Sequence, residues 1–94
     1  MAKNQYNIIS NLRKYRHLAG LTLMQLAELT GFTITSLSQW EKGDRVPNIS
    51  NAIIIINILN EILCEMKKTG FPVKPGLTLD SIWEIKNNTE VETQ

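Results

Sequence analysis

Apolar residues recur along the chain at helical spacing in five blocks, each closed by glycine, proline or a polar stretch. In the first, from about Ile8 to Leu18, the stripe is Ile8, Leu12, Tyr15 and Leu18, with Arg13, Lys14 and Arg16 beside or opposite it. Gly20 stands where a helix ends. The second block opens at Thr22, with Gln25 three residues on. That pairing lets hydroxyl and amide each satisfy an orphan backbone donor of a helix start. Leu23, Leu26 and Ala27 form its inward face, and Gly31 closes it after Thr30. The third block runs from Thr33 as cap to Lys42, with Leu37 and Trp40 inward and Gly43 as terminator. Asp44 to Asn48, with Pro47, reads as loop.

The fourth block starts near Asn48 or Ser50 and persists to about Lys68. Ala52, Ile55, Ile56, Ile58, Leu59, Ile62, Leu63 and Met66 fall in a sector about 160° wide, against about 100° for a simple surface helix. Ile53 and Ile54 lie outside even that sector, so the first turns are apolar nearly all round. Other helices or a partner chain must cover them. Thr69 to Leu77 contains Gly70, Pro72, Pro75 and Gly76 and reads as a linker. A last helix is expected from about Leu79 to Lys86, capped by Thr78, with Leu79, Ile82 and Trp83 as its adhesive face. Asn87 to Gln94 has one apolar residue, Val91, and is expected to be mobile. The pattern predicts an all-α fold, a compact bundle of about five helices. Residues 1–68 form the principal domain with its long fourth helix. Residues 69–94 supply linker, short helix and tail, packing on the same domain or on a dimer partner.

Length and composition narrow this further. Ninety-four residues support one core, and 43% hydrophobic with 20% charged residues is ordinary globular composition. Cys64 is the single cysteine and His17 the single histidine, so no internal disulfide is possible and no metal or cofactor site is expected. The polar start, Met1 to Tyr6, leads into no apolar signal core. The longest apolar run, Ala52 to Ile56, is far short of the about 20 residues of a membrane span. A soluble cytoplasmic protein with no membrane partner is expected. Charge is uneven: Met1 to Asn48 carries six basic and three acidic residues, whereas Ile49 to Gln94 carries four basic and six acidic. The front half thus suits an anionic partner.

Catalysis finds no footing. Cys64 falls on the long helix without a second histidine to activate it, and His17 has no nucleophile, metal set or phosphate loop beside it. Asp80 and Glu84, four apart on the expected last helix, read as a solvated face.

The second and third helices, joined by Gly31–Phe32–Thr33, have the proportions of a helix-turn-helix, whose first helix crosses the DNA backbone while the second enters the major groove. The run Leu21 to Gly43 resembles the phage repressor and Cro type of helix-turn-helix, the XRE family. The marks are Leu26-Ala27, Gly31, Leu37, Trp40-Glu41, Gly43 and Pro47, with Arg16 upstream. The resemblance covers about Ile8 to Leu59 and implies a lambda-repressor-like bundle with the motif at helices 2 and 3. It also implies that Ala27 is small because the helices cross closely, and that Leu26, Phe32 and Leu37 fill the core. Arg16 and Glu41 match a pair that ties the first helix to the end of the third, a contact suited to bidentate arginine–carboxylate geometry.

With Leu37 and Trp40 inward, Thr35, Ser38, Gln39 and Lys42 face outward, and Thr33, Ile34 and Ser36 stand at the exposed N-terminal end. Base reading is assigned to Thr33, Ile34, Thr35, Ser38 and Gln39. Glutamine can pair bidentately with adenine, and Thr or Ser can serve several bases. Ile34 either meets a thymine methyl or packs near the turn. Phosphate contacts are assigned to Ser36, Lys42, Gly43 and Arg45, with Arg13 and Lys14 either assisting or simply solvated. Two positions depart from the family pattern: Leu23, where a glutamine that touches phosphate is common, and Asp44, where a basic residue is common. Both imply modest DNA affinity or a compensating partner.

The expected function is a sequence-specific, DNA-binding transcriptional regulator, a homodimeric repressor reading two half-sites of a palindromic operator about 34 Å apart. The dimer surface is assigned to Ile53, Ile54, Met66 and Trp83. Two alternatives stay open. One is an antitoxin with the same DNA-binding domain, its back half holding a toxin. The other is a protein-interaction module that no longer binds DNA. A protein partner such as a toxin or anti-repressor fits either the regulator or the antitoxin.

Overall fold

The longest element, α4 (Ile49–Lys68), is the spine against which the rest of the chain is packed. In the computed structural model, which describes residues 6–87, it is preceded by β1 (Tyr6–Ser10), α1 (Leu12–Leu18), α2 (Leu23–Thr30) and α3 (Ile34–Lys42). It is followed by α5 (Leu79–Ile82) and β2 (Trp83–Asn87). The fold is the five-helix, lambda-repressor-like bundle, with one two-stranded ribbon added to it.

Local chemistry sets most boundaries. Thr22 Oγ1 accepts from the Gln25 N–H at 3.0 Å and Gln25 Oε1 accepts from the Thr22 N–H at 2.8 Å, the reciprocal capping box that starts α2. Thr33 and Asn48 cap α3 and α4 in the same sense, through the N–H groups of Ser36 and Asn51. Gly31 and Gly43 end α2 and α3 at φ +81° and +82°, left-handed values that a side chain would resist.

The core draws on every helix. Leu12, Leu26, Leu37, Ile55, Leu59, Leu63 and Ile82 are fully buried, joined by Trp40 and Trp83. Ala52, Ile55, Ile56, Leu59 and Leu63 mark one face of α4, while Ile58, Ile62 and Met66 are half-buried beside it. By length and apolarity α4 reaches what a membrane crossing needs, with a mean hydropathy of 1.5 over 18 residues, which the count of uninterrupted apolar residues missed. Its buried row is the domain core. The segment expected as a linker is also packed down: Val73 and Leu77 are buried. Asn60 on α4 holds that segment, accepting from the Gly76 and Leu77 N–H groups and donating to the Leu77 carbonyl.

Two expected helix segments are strands. Ile8 belongs to β1, not to the first helix, and is exposed rather than core. The last helix stops at Ile82, and Trp83–Asn87 pairs antiparallel with Tyr6–Ser10, Ile8 opposite Ile85 and Ser10 opposite Trp83. Leu18 and Leu79, placed on inward stripes, are exposed. Asp80 and Glu84 therefore share no helix face. Glu84 instead accepts from Asn11 Nδ2 at 2.7 Å. Asn87 ends β2, and the rest of the expected tail, residues 88–94, lies outside the described residues.

Candidate nucleic-acid interface

The turn Gly31–Phe32–Thr33 folds α3 back across α2. The left-handed backbone at Gly31 reverses the chain, and Thr30 Oγ1, itself donating to the Leu26 carbonyl, accepts from the Phe32 N–H at 3.2 Å. Phe32 then meets the Trp40 ring edge-on, centroids 5.4 Å apart at 81°, one of the favoured arrangements of two aromatic quadrupoles. Leu37 and Trp40 bury the inner face of α3. Thr33, Ile34, Thr35 and Lys42 are exposed, while Ser36, Ser38 and Gln39 are half-covered.

Arg16 holds this helix in place from α1. Its Nε donates to Glu41 Oε2 at 2.5 Å, its Nη2 to Glu41 Oε1 at 3.2 Å, and its Nη1 to the Leu21 carbonyl at 2.9 Å. Both side chains are more than nine-tenths buried. The fork geometry satisfies both carboxylate oxygens and the carbonyl ahead of α2, so one guanidinium ties α1, α3 and the approach to α2 together.

A cleft of about 290 Å³ opens beside the pair, lined by Arg13, Arg16, Leu23, Ser38, Glu41 and Lys42. Arg13 and Lys42 thus converge from two helices on one opening, which Ser38 also lines. Leu23 brings an aliphatic wall to the start of α2. Lys14, the other basic residue of α1, is exposed but lies 5.3 Å from the centroid of the Tyr15 ring and does not line this cleft.

Two assigned contacts are altered by hydrogen bonding already present. Thr33 Oγ1 accepts from the Ser36 N–H and donates to Ser36 Oγ, both at 3.0 Å, so its hydroxyl proton serves the helix start rather than a base. The N–H groups of Gly43, Asp44 and Arg45 converge on the Gln39 carbonyl, so Gly43 has no free backbone donor for a phosphate. What remains at that end is the exposed side chains of Lys42 and Arg45, with Asp44 between them. Thr35 and the flank of Gln39 form the accessible polar strip, and Ile34 projects from the exposed first turn. Trp83, assigned to a dimer surface, is only 4% exposed and belongs to this chain's own core. Ile53 and Ile54 are exposed, and Met66 is half-buried.

The positioning residues that sequence reasoning passed over are Ser10 and Asn11. Ser10 Oγ donates to the Trp40 carbonyl at 2.6 Å, anchoring the C-terminal half of α3 to β1. Asn11 donates through Nδ2 to the Ser81 carbonyl and to Glu84, and through its backbone N–H to the Ile82 carbonyl. A polar pair directly before an apolar helical stripe is a recognisable start signal, but its partners, some 30 and 70 residues away, leave no local trace.

Two short helices joined by a glycine turn, the second with an exposed polar strip and a basic cleft at its side, define a helix-turn-helix DNA-binding domain. Comparison with known families agrees: a helix-turn-helix family model matches residues 12–62, from the start of α1 well into α4. The chain belongs to the XRE-type helix-turn-helix family of phage repressors and Cro proteins, and it is a DNA-binding transcription regulator in the general sense of that family. No curated protein and no solved structure matches it. The family match leaves out β1, the packed linker, α5 and β2.

Proposed function

We propose that the protein is a homodimeric repressor that reads a palindromic operator by placing α3 in the major groove of each half-site. The observation that carries this reading is the rigid presentation of α3. Its inner face is locked by Leu37 and Trp40, its C-terminal half by Arg16 and Ser10, and its outer face is left polar. Thr35, Ser38 and Gln39 read base edges, with Ile34 against a thymine methyl. Ser36, Lys42, Arg45 and Arg13 fix the register on phosphates, and the uncapped N–H groups of the first turn of α3 add an anion-binding end. The protein works on DNA in the cytoplasm, without catalytic chemistry of its own.

Leu23 in the cleft wall supports a second reading, in which the motif holds a protein partner rather than a duplex. One titration separates the two. Fluorescence anisotropy against the DNA just upstream of the protein's own gene, beside scrambled DNA and at two salt concentrations, is expected to show tighter and salt-sensitive binding to the upstream DNA. Absence of binding to either DNA at low salt would overturn the operator reading in favour of the partner.

A further inference from the structure

The ribbon formed by β1 and β2 carries a groove that the helix-turn-helix does not use. Ile8 and Ile85 are register partners in the antiparallel pair, so their side chains share one face of the ribbon. On that face they meet Val46, Pro47, Ile49, Leu79 and the edge of Trp83 around a groove of about 190 Å³. That is smaller than the about 300–1,000 Å³ of small-molecule sites. Its rim is the unusual feature. Ile8, Val46, Ile49, Leu79 and Ile85, with Ile53 one turn along from Ile49, are each between 37% and 66% exposed. Together they equal about three aliphatic residues wholly in water, on the order of 500 Å², the size of the largest apolar patch on a typical monomer, which is often functional. Among the described residues, Asp80 is the one charged residue lining it.

We infer that this face is where a second copy of the chain docks, about a two-fold axis beside the groove. The inference rests on the reading of the protein as an operator-binding dimer and assigns the surface that reading needs. Three observations select a second copy as the occupant. An isologous contact lays the same patch on itself, and an aliphatic patch with one peripheral carboxylate brings no row of like charges together. Among the described residues, the patch offers no run of charge by which an acidic or basic partner would be chosen. The apolar area forms more than half of the about 800 Å² per partner of a standard interface, leaving a polar rim around an apolar centre as homodimers have. The position is also suited to the task. Val46 and Pro47 lie in the loop that follows α3 after its Lys42 end, and a Cβ at Gly43 would lie 3.5 Å from the Ile8 carbonyl oxygen, so the C-terminal end of each α3 lies close to the axis.

The test is sedimentation velocity on the full chain without DNA, across a wide concentration range, for wild type, Ile49→Glu, Ile85→Glu and Ile54→Glu. Ile54 is exposed on a different flank of α4 and does not line the groove. Wild type is expected to dimerise, Ile49→Glu and Ile85→Glu to weaken the dimer at least about a hundredfold, and Ile54→Glu to leave it intact. Circular dichroism melts check that each variant is folded. Should Ile85→Glu disturb the strand, Ile85→Thr keeps the β-branched shape and is expected to weaken the dimer about tenfold. A monomeric wild type at every concentration would overturn the inference, as would a dimer lost in Ile54→Glu and kept in Ile49→Glu. The anisotropy titration is read separately. A dimer that dissociates as expected but prefers no DNA would sink the operator reading and leave the docking surface standing.

Discussion

The helix-turn-helix and the terminal ribbon are built on opposite principles. Almost every boundary of α2 and α3 is set within three or four residues: Thr22 with Gln25, Thr33 with Ser36, Gly31 and Gly43 as left-handed ends. The ribbon has no such local cause. Tyr6–Ser10 becomes a strand because Trp83–Asn87 lies beside it, and the joint between them is sealed by Asn11 reaching Ser81, Ile82 and Glu84. A two-stranded ribbon is marginal by itself. It persists here because Trp83 and Ile82 are buried in the domain core. The part that meets DNA is thus locally encoded, while the part that closes the domain depends on contacts some 70 residues apart.

The comparison can be broken most severely at the bridge that fastens α3 to α1. Glu41→Ala leaves the Arg16 guanidinium buried without its carboxylate. It is expected to cost about 3–5 kcal/mol in urea denaturation, enough to threaten folding of so small a domain. A cost near that of a surface pair, below about 1 kcal/mol, would show that the buried bridge does not hold α3. Asn11→Ala removes the ribbon's side-chain joint and leaves the Ser81 carbonyl and Glu84 without that donor. A loss of about 1–3 kcal/mol is expected, with hydrogen exchange rising first in β1 and β2 and not in α2 or α3. Equal acceleration in both regions would remove the distinction between them.

Thr33→Ala tests the local half alone. Loss of the α3 cap is expected to cost about 1 kcal/mol and to weaken DNA binding through fraying of the first turn, without disturbing the ribbon. A large change in base preference would restore Thr33 as a reader. The smallest effects on stability belong to the outer face of α3. Lys42→Ala is expected to leave stability unchanged and to reduce the salt slope of DNA binding by about one. Gln39→Ala is expected to relax base preference at one position by about 1–3 kcal/mol. Equal loss on operator and random DNA would remove Gln39 from the readers.

The legibility of the site followed the same division. The stripe Leu26, Leu37 and Trp40 and the glycine stops were readable because helical periodicity and capping act over short distances, whereas the pairing of Arg16 with Glu41, 25 residues apart, was implied by the family resemblance alone. The engagement of the Thr33 hydroxyl by Ser36, and of the Gly43 N–H by the Gln39 carbonyl, was not readable, since both depend on how helix ends satisfy their own orphan groups. Ile8 fitted a helical stripe as well as a strand, because a short apolar run is compatible with either period. Leu79, Ile82 and Trp83 likewise matched helical spacing while Trp83 and Ile85 matched alternation.

By itself, then, the sequence determined the number of helices, the bounds of α2 and α3, the turn that joins them and the family to which they belong. These rest on capping, left-handed glycines and amphipathic periodicity, all forces between near neighbours. Only the tertiary structure decided that Tyr6–Ser10 and Trp83–Asn87 pair as strands, that the proline-rich segment is pinned to α4 by Asn60, and that Trp83 faces inward. Each of these is a choice between two locally acceptable conformations. It is settled by which one buries its apolar side chains and pairs its backbone groups against residues far away in the chain.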